Sequence, residues 1–471
     1  MSFRFAIIVS VLLPLLTTGC GQPPEAQFVY NERTDGLIPE GRDGIRQAIR
    51  DGFGTPKDMV AWLKLPVDFG RVDGEVAASK EVASGTTVHS FQAALGSDVS
   101  GHLAGAGLLW ISGKYKGQAL HVDSYDTDTE TLALVEGMEF PPEPGDKFAV
   151  AGSVLQSGRR LYMTHCLHCH GVSGDGDGPT AKYLNPRPRD YRLGKFKFTS
   201  TNQTGKVSRD DLERIIRQGI PGTYMPSFML LEAGELTAIV EYVRWLSMRG
   251  ELENRLDAEV EADYSVKVVQ QRIADGEEKS AIVAELQQYL EGDLPATVED
   301  VATDLAEAWS GPEEDESLVI VPQTKRGPGD VGSLARGRAL YLSGKAKCAT
   351  CHGVTGVGDG PQVEEINTNQ VTQEKYPEPG LYDDWGNKIK PRNLKRGIYR
   401  GGRRPIDLYR RIYAGIKGTP MPAFGGTVLK DDEIWDLVNY VMSIPFSDAQ
   451  ETDEESSKHL THSSGGQQQS G

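Results

Sequence analysis

Cysteine and histidine are scarce in this 471-residue chain, with five of the first and nine of the second. Four cysteines fall in two short clusters and the fifth, Cys20, ends an N-terminal apolar run, so none is left for a disulfide framework. Past that run, no stretch is long and apolar enough for a membrane helix. Positive charge is also short. Lys and Arg number 50 against 67 Asp and Glu, and nothing basic or aromatic enough to track nucleic acid is present. Most of the net −17 sits in residues 251–316, which hold 20 acidic and 4 basic residues.

The N-terminus has a cationic stub (Arg4), an apolar run from Phe5 to Leu16, and the close Thr17-Thr18-Gly19-Cys20. The run is too short to span a bilayer and has the shape of a secretory signal. Its Gly-Cys close resembles a bacterial lipoprotein signal, which implies lipid on Cys20 and a tether to the membrane. That family usually has Leu three places before the cysteine; here Thr17 stands there and Leu16 one place further back. An ordinary cleaved signal with an incidental cysteine is the other reading.

Cys166-Leu167-His168-Cys169-His170 and Cys348-Ala349-Thr350-Cys351-His352 are two copies of C-x-x-C-H. On a helix, residues three and four apart share a face, so two thiols and an imidazole can meet one flat macrocycle. The thiols then form thioethers with the haem vinyl groups while the histidine binds iron. One copy alone is compatible with a zinc fragment or a thioredoxin-like pair. Two copies with the same downstream landmarks point to two covalently bound haems c.

Those landmarks form an internal repeat. Gly158-Arg159-Arg160-Leu161-Tyr162 recurs as Gly337-Arg338-Ala339-Leu340-Tyr341, and a Gly-Asp-Gly-Pro run ends at Pro179 and at Pro361. Pro188-Arg189-Asp190 matches Pro391-Arg392-Asn393, and Gly222-Thr223-Tyr224-Met225-Pro226 matches Gly418-Thr419-Pro420-Met421-Pro422. Each unit closes on an apolar-periodic helix, through Leu236–Leu246 and Ile434–Val441. This order resembles the class I bacterial cytochrome c fold over residues 153–250 and 331–447. The resemblance implies a mainly α protein with two tandem domains, each stabilised by a haem that fills most of its core. Between Pro361 and Pro391 the second unit carries an insertion with Tyr376, Tyr382 and Trp385, readable either as a docking loop or as a tolerated insertion.

His170 and His352 are the proximal ligands by motif. No histidine other than His352 lies between His170 and His459, so the second unit lacks a distal histidine of its own. Met225 and Met421 stand in equivalent Gly/Pro-rich loops and are the expected sixth ligands, whereas Met442 lies on a closing helix and reads as packing. His/Met ligation raises the potential and closes the iron to substrates. His165 and His168 read as exposed neighbours. The resemblance implies that the carbonyls of Pro179 and Pro361 accept the proximal imidazole N–H. Arg187, Arg189 and Arg392 are candidates to neutralise haem propionates, with plain surface solvation the alternative.

Residues 25–150 resemble no cytochrome. Short strands at Leu108–Ser112, Ala119–Ser124, Thr131–Glu136 and Lys147–Val150 predict a small β-rich module. Thr55-Pro56-Lys57-Asp58 reads as a helix start before Met59 and Trp62. His89, His102 and His121 are scattered without metal-binding spacing. Residues 251–330 predict an acidic helical connector, with helices around Val268–Leu290 and Val298–Trp309; its face is either merely solvated or steers a basic partner. The tail 448–471 reads as disordered.

Together these features predict a dihaem electron-transfer protein on the periplasmic side of a bacterial membrane, with no catalytic residues of its own. Its partners would be a respiratory complex, an oxidase or a soluble cytochrome. The alternative is a dihaem peroxidase, which needs an open iron position and a nearby acid or base.

Overall fold

A computed structural model describes residues 26–79, 85–95, 103, 105–369 and 373–447. Cys20 with its apolar run, His102 and the tail lie outside the described residues. Among the described residues no helix is long and apolar enough to cross a membrane.

After the short helices α1 (Glu32–Asp35) and α2 (Pro39–Phe53), six strands follow: β1 (Val72–Ala78), β2 (Val88–Leu95), β3 (Gly107–Trp110), β4 (Ala119–Asp126), β5 (Thr131–Met138) and β6 (Lys147–Ala151). They close into an antiparallel barrel in the order β1-β2-β5-β4-β3-β6. Side chains alternate inward and outward, as in β5, where Leu132 and Leu134 are buried between half-exposed neighbours. Phe91, Trp110 and Phe148 fill the interior with ring centroids 5.4–5.6 Å apart. Gly74 makes room for them, since a Cβ there would fall 2.5 Å from the Phe148 ring.

The β-rich reading therefore applies to residues 72–151, and two of the six strands went unrecognised. Val72–Ala78 holds Asp, Gly and Glu, and Val88–Leu95 holds His, Ser and Gln, so neither shows the apolar alternation that marks a strand. Residues 26–71 pack instead into the first helical core, through Phe28, Leu37, Ile45, Ile49 and Phe53. The helix expected after Thr55 is absent. α2 has already ended at Gly54, and Thr55 closes a tight turn in which its Oγ1 accepts from the Asp58 amide at 3.0 Å.

The first repeat unit consists of α3 (Ser153–His165), α4 (Leu167–His170), α5 (Arg209–Gln218) and α6 (Ala233–Tyr264). The second has α10 (Val331–Leu342), α11 (Cys348–His352), the two-stranded β7–β8 (Leu381–Tyr382, Lys388–Ile389) of the insertion, α12 (Pro405–Ala414) and α13 (Asp431–Ser443). Between the units lie α7 (Val266–Ala274), α8 (Lys279–Gly292) and α9 (Leu294–Glu314). In each unit the first and last helices cross at the glycine of Gly-Arg-x-Leu-Tyr. A Cβ on Gly158 would lie 2.2 Å from the Ala238 carbonyl oxygen, and one on Gly337 2.1 Å from that of Asp436. Only a bare Cα permits this approach.

α6 does not stop at residue 250 but continues through it, buried on nearly every side from Leu236 to Glu253. A helix enclosed all round is a central pillar, and α2, α3, α5 and α9 lean on it. The connector helices α7–α9 join the same core through Leu286, Leu305 and Trp309 and turn their carboxylates outward. α6 also carries buried charge. Arg249 pairs with Glu253 at 3.2 Å, and Thr34 Oγ1 donates to Glu253 and Asp257 at 2.9–3.0 Å, which fixes residues 26–36 against the pillar.

Substituting Gly158 or Gly337 by Val should cost about 3 kcal/mol or more, because a side chain has no room at a carbonyl contact. Thermal unfolding of each variant checks this; an unchanged midpoint would refute the crossing. Asp257 gives a second expectation. Burial pushes its carboxyl up from 3.8 to about 6. The folded state thus holds that proton more tightly than the unfolded one. Its contribution is complete below about pH 3.8 and is lost as pH rises through 6, on the order of 2–3 kcal/mol. Asp257→Asn should flatten the difference in Tm between pH 5 and pH 7, and an unaltered difference would clear Asp257 as its source.

Candidate haem-binding site

Each C-x-x-C-H turn is a single helical turn whose last carbonyls need partners. The Gly-Asp-Gly-Pro loop folds back to supply them. Gly176 and Gly178 amides donate to the His170 and Cys169 carbonyls at 3.0 and 3.2 Å; Gly358 and Gly360 do the same for His352 and Cys351 at 2.8 and 3.2 Å. The tyrosine of Gly-Arg-x-Leu-Tyr completes the brace, with Tyr162 Oη donating to the Gly171 carbonyl at 2.8 Å and Tyr341 Oη to that of Gly353 at 2.7 Å.

The methionine loops are equally alike. Gly219 and Gly415 end α5 and α12 with φ of 67° and 70°. The Ile220 amide then donates to the Met225 carbonyl at 3.1 Å, and Ile416 to Met421 at 3.1 Å. Thr223 and Thr419 hydroxyls accept from the Met225 and Met421 amides at 3.1 and 3.3 Å.

All of these elements open onto one cavity of about 1060 Å³, shared by both units. Cys166, Cys169, His170 and Met225 line it from the first unit, and Cys348, Cys351, His352 and Met421 from the second. The rest of the wall is mainly apolar, with Ile220, Phe228, Leu408, Phe424, Leu437 and Val441. Burial pushes the Cys166 and Cys348 thiols up to about 12. Such thiols are the opposite of a redox-active Cys pair, whose thiolate is stabilised. Among the described residues no group of three or more His, Cys, Asp or Glu side chains is placed to hold a metal ion unaided.

Both proximal imidazoles are half-buried, and desolvation lowers their pKa, which favours the neutral ring. His170 Nδ1 donates to the Arg189 carbonyl at 3.3 Å and His352 Nδ1 to that of Arg392 at 3.3 Å, leaving each Nε2 lone pair free for a metal. This corrects the expectation for Pro179 and Pro361. Both prolines are exposed, outside the cavity wall, because the glycines before them cap the turn and carry the chain away from the ring. The repeat did contain the true acceptors, in Pro-Arg-Asp and Pro-Arg-Asn.

The arginines divide. All three line the cavity, but Arg187 is exposed at its mouth and paired with Asp177, with Nη2 at 3.1 Å from Oδ1. Arg189 and Arg392 are more enclosed, and burial pushes Arg189 down to about 10. Arg189 Nη2, Arg400 Nε and Trp385 Nε1 are sealed from solvent with no hydrogen-bond partner. Three orphaned donors on one cavity wall fit a bound group that brings its own anionic oxygens. The sequence marks neither Arg400 nor Trp385 as such a donor: Arg400 follows Tyr399 without a repeat landmark, and Trp385 reads only as part of the insertion. His165 and His168 stand on the wall, His165 against the Phe228 ring at 6.0 Å. His89 and His121 belong to the barrel, with His121 Nδ1 2.6 Å from Glu136.

The cytochrome c family model matches residues 155–247 and 334–445. Among solved structures, a chain of the Kuenenia stuttgartiensis reducing HAO-like protein complex Kustc0457/Kustc0458 is 26% identical, over 61% of this chain and 96% of that one, with a TM-score of 0.41. No curated protein matches the chain significantly. The two segments that match the cytochrome c model are those that carry the C-x-x-C-H turns and the methionine loops.

Proposed function

We propose that the protein is a dihaem electron carrier outside the bacterial cytoplasm, tethered by lipid on Cys20 and serving a respiratory partner. The observation that carries this reading is the single cavity onto which two cysteine pairs, two histidines and two methionine loops open. Bound haem would supply a one-electron couple at each iron. Cys166 with Cys169, and Cys348 with Cys351, would hold the macrocycles as thioethers. His170 with Met225, and His352 with Met421, would bind the irons. The Arg189 and Arg392 carbonyls orient the imidazoles and raise their donor strength. Irons held by both a histidine and a methionine of the chain would keep no place for substrate, which favours transfer over peroxide chemistry. The exposed carboxylates of α7–α9 suit a basic partner drawn by salt-sensitive attraction, whether a soluble cytochrome or a subunit of an oxidase or other respiratory complex.

Met225→Ala and Met421→Ala should each turn one low-spin haem high-spin and lower one of two midpoint potentials, read by absorption spectra and redox titration. Unaltered spectra and potentials would refute the axial assignment. A high-spin, peroxide-consuming haem in the unsubstituted protein would favour the enzyme instead. Cys20→Ser should move the protein from the membrane to the soluble fraction; retention on the membrane would remove the lipid tether from the proposal.

A further inference from the structure

The two units trade arginines across their seam. Arg189 is rooted in the first unit, where its carbonyl holds His170. Its guanidinium lies over the Trp385 ring of the second unit, 3.7 Å from the centroid. A Cβ on Gly418, three residues before Met421, would come within 3.3 Å of Arg189 Nη1 and 2.5 Å of the Trp385 ring. Arg392 mirrors this. Its carbonyl holds His352, and its Nη2 would lie 2.6 Å from a Cβ on Gly222, three residues before Met225. Both glycines have positive φ, 75° and 72°, so the tight methionine loop and the incoming guanidinium make the same demand on them.

The carboxylates around Arg189 have other partners as well. Asp190 takes Arg192 with both oxygens at 2.9–3.0 Å, Asp384 takes Lys195 at 2.5 Å, and Asp383, the foremost opposite charge acting on Arg189, accepts the Trp385 and Asn387 amides with Oδ1 at 3.2 and 2.9 Å. Arg189 Nη2 and Trp385 Nε1 are left as sealed donors without acceptors. A buried cation beside an unmet indole N–H forms a receptor for an anion. The insertion of the second unit builds half of it. The Asp384 amide donates to the Gly418 carbonyl at 3.2 Å, and the Lys195–Asp384 pair fastens the same loop to the first unit. Arg214 Nη1 to the Gly401 carbonyl at 3.3 Å and Gln203 Nε2 to that of Ala414 at 2.8 Å hold the seam elsewhere.

We propose that Arg189 and Arg392 are exchanged counter-charges. Each is fixed under its own unit's histidine and reaches the other unit's methionine loop, where it would offset the carboxylates of a bound haem, so that one guanidinium would tune both irons. Trp385 is the shelf that keeps Arg189 in that position. The inference rests on the dihaem reading and adds electrostatic coupling between the sites.

Redox titration of the full-length holoprotein tests it, with Met421→His used to assign the couple of the second unit. Removing a positive charge favours the oxidised iron. Arg189→Gln should therefore lower both midpoints, each by roughly a tenfold change in the oxidised-to-reduced ratio at fixed potential, or about 59 mV for one electron. Arg189→Lys, which keeps the charge, should restore most of both shifts. A shift confined to the His170 haem, or none, would overturn the exchange while leaving the carrier reading intact. If Arg189→Gln does not assemble, Arg392→Gln must show the same two-sided shift, and a one-sided one counts equally against the proposal. Absence of two haem couples from the unsubstituted protein would overturn the carrier reading and this inference with it.

Discussion

Each histidine rides on a turn that faces an apolar cavity on one side, and that turn must satisfy its backbone entirely from the other. An unpaired buried carbonyl costs about 1–3 kcal/mol, and a helix of four or five residues leaves nearly all of its carbonyls unpaired. The remaining landmarks of the internal repeat answer this need. Glycine amides of the following loop cap the turn, a tyrosine hydroxyl braces its exit, and a backbone carbonyl holds the imidazole. The tyrosine reaches the turn only because α3 meets α6, and α10 meets α13, at glycine contact distance. The ligand geometry thus depends on a helix crossing some distance away in the fold.

The crossing has different support in the two units. Around α6 the chain adds α2, the irregular stretch to residue 71 and the three connector helices, all sharing one apolar core. Trp309 of α9 donates to Glu251 of α6 at 2.8 Å, tying the connector to the pillar. Around α13 the core is smaller and made almost wholly from the second unit itself. The connector helices α7–α9 are therefore structural members that carry their charge on an outer face, and solvation and partner steering are compatible with the same packing.

Much of the helical architecture could be read from the sequence because it repeats: two copies of each landmark at matching intervals carry more information than either alone. The strands β3–β6 were legible because Leu, Val and Ala alternate with polar residues. The first two strands were not, since a small closed barrel lets Gly74 and a few large rings replace regular alternation. The continuation of α6 past residue 250 was hidden by its charges; Glu253 and Asp257 read as surface residues, yet both are buried on partners more than 200 residues away. The same distance problem concealed Trp385 and Arg400. Their roles depend on the seam between units, and no local period marks a seam. Pro179 and Pro361 misled for the opposite reason: they stand beside the working glycines in every copy of the motif.

Identical ligand sets do not make identical sites, and the proximal side shows where they diverge. Tyr191 and Leu394 are equivalent in the repeat, their amides donating to Gly174 and Gly356 at 3.0 and 2.7 Å. In the first unit the Tyr191 ring lies 5.5 Å from that of His170, and its hydroxyl meets Tyr162 Oη at 2.6 Å. Burial holds both phenols well above their ordinary pKa, so they stay neutral dipoles. In the second unit Leu394 offers no hydroxyl, and Tyr341 is left with the Gly353 carbonyl alone. A polar, hydrogen-bonded wall stabilises charge differently from an aliphatic one. Two irons with the same axial atoms would therefore differ in electron affinity, which gives a transfer chain its direction. In the proposed dihaem carrier the cross-seam arginines would act on both irons together, whereas Tyr191 would act on the first alone, giving separate means of setting the level of the pair and the step within it.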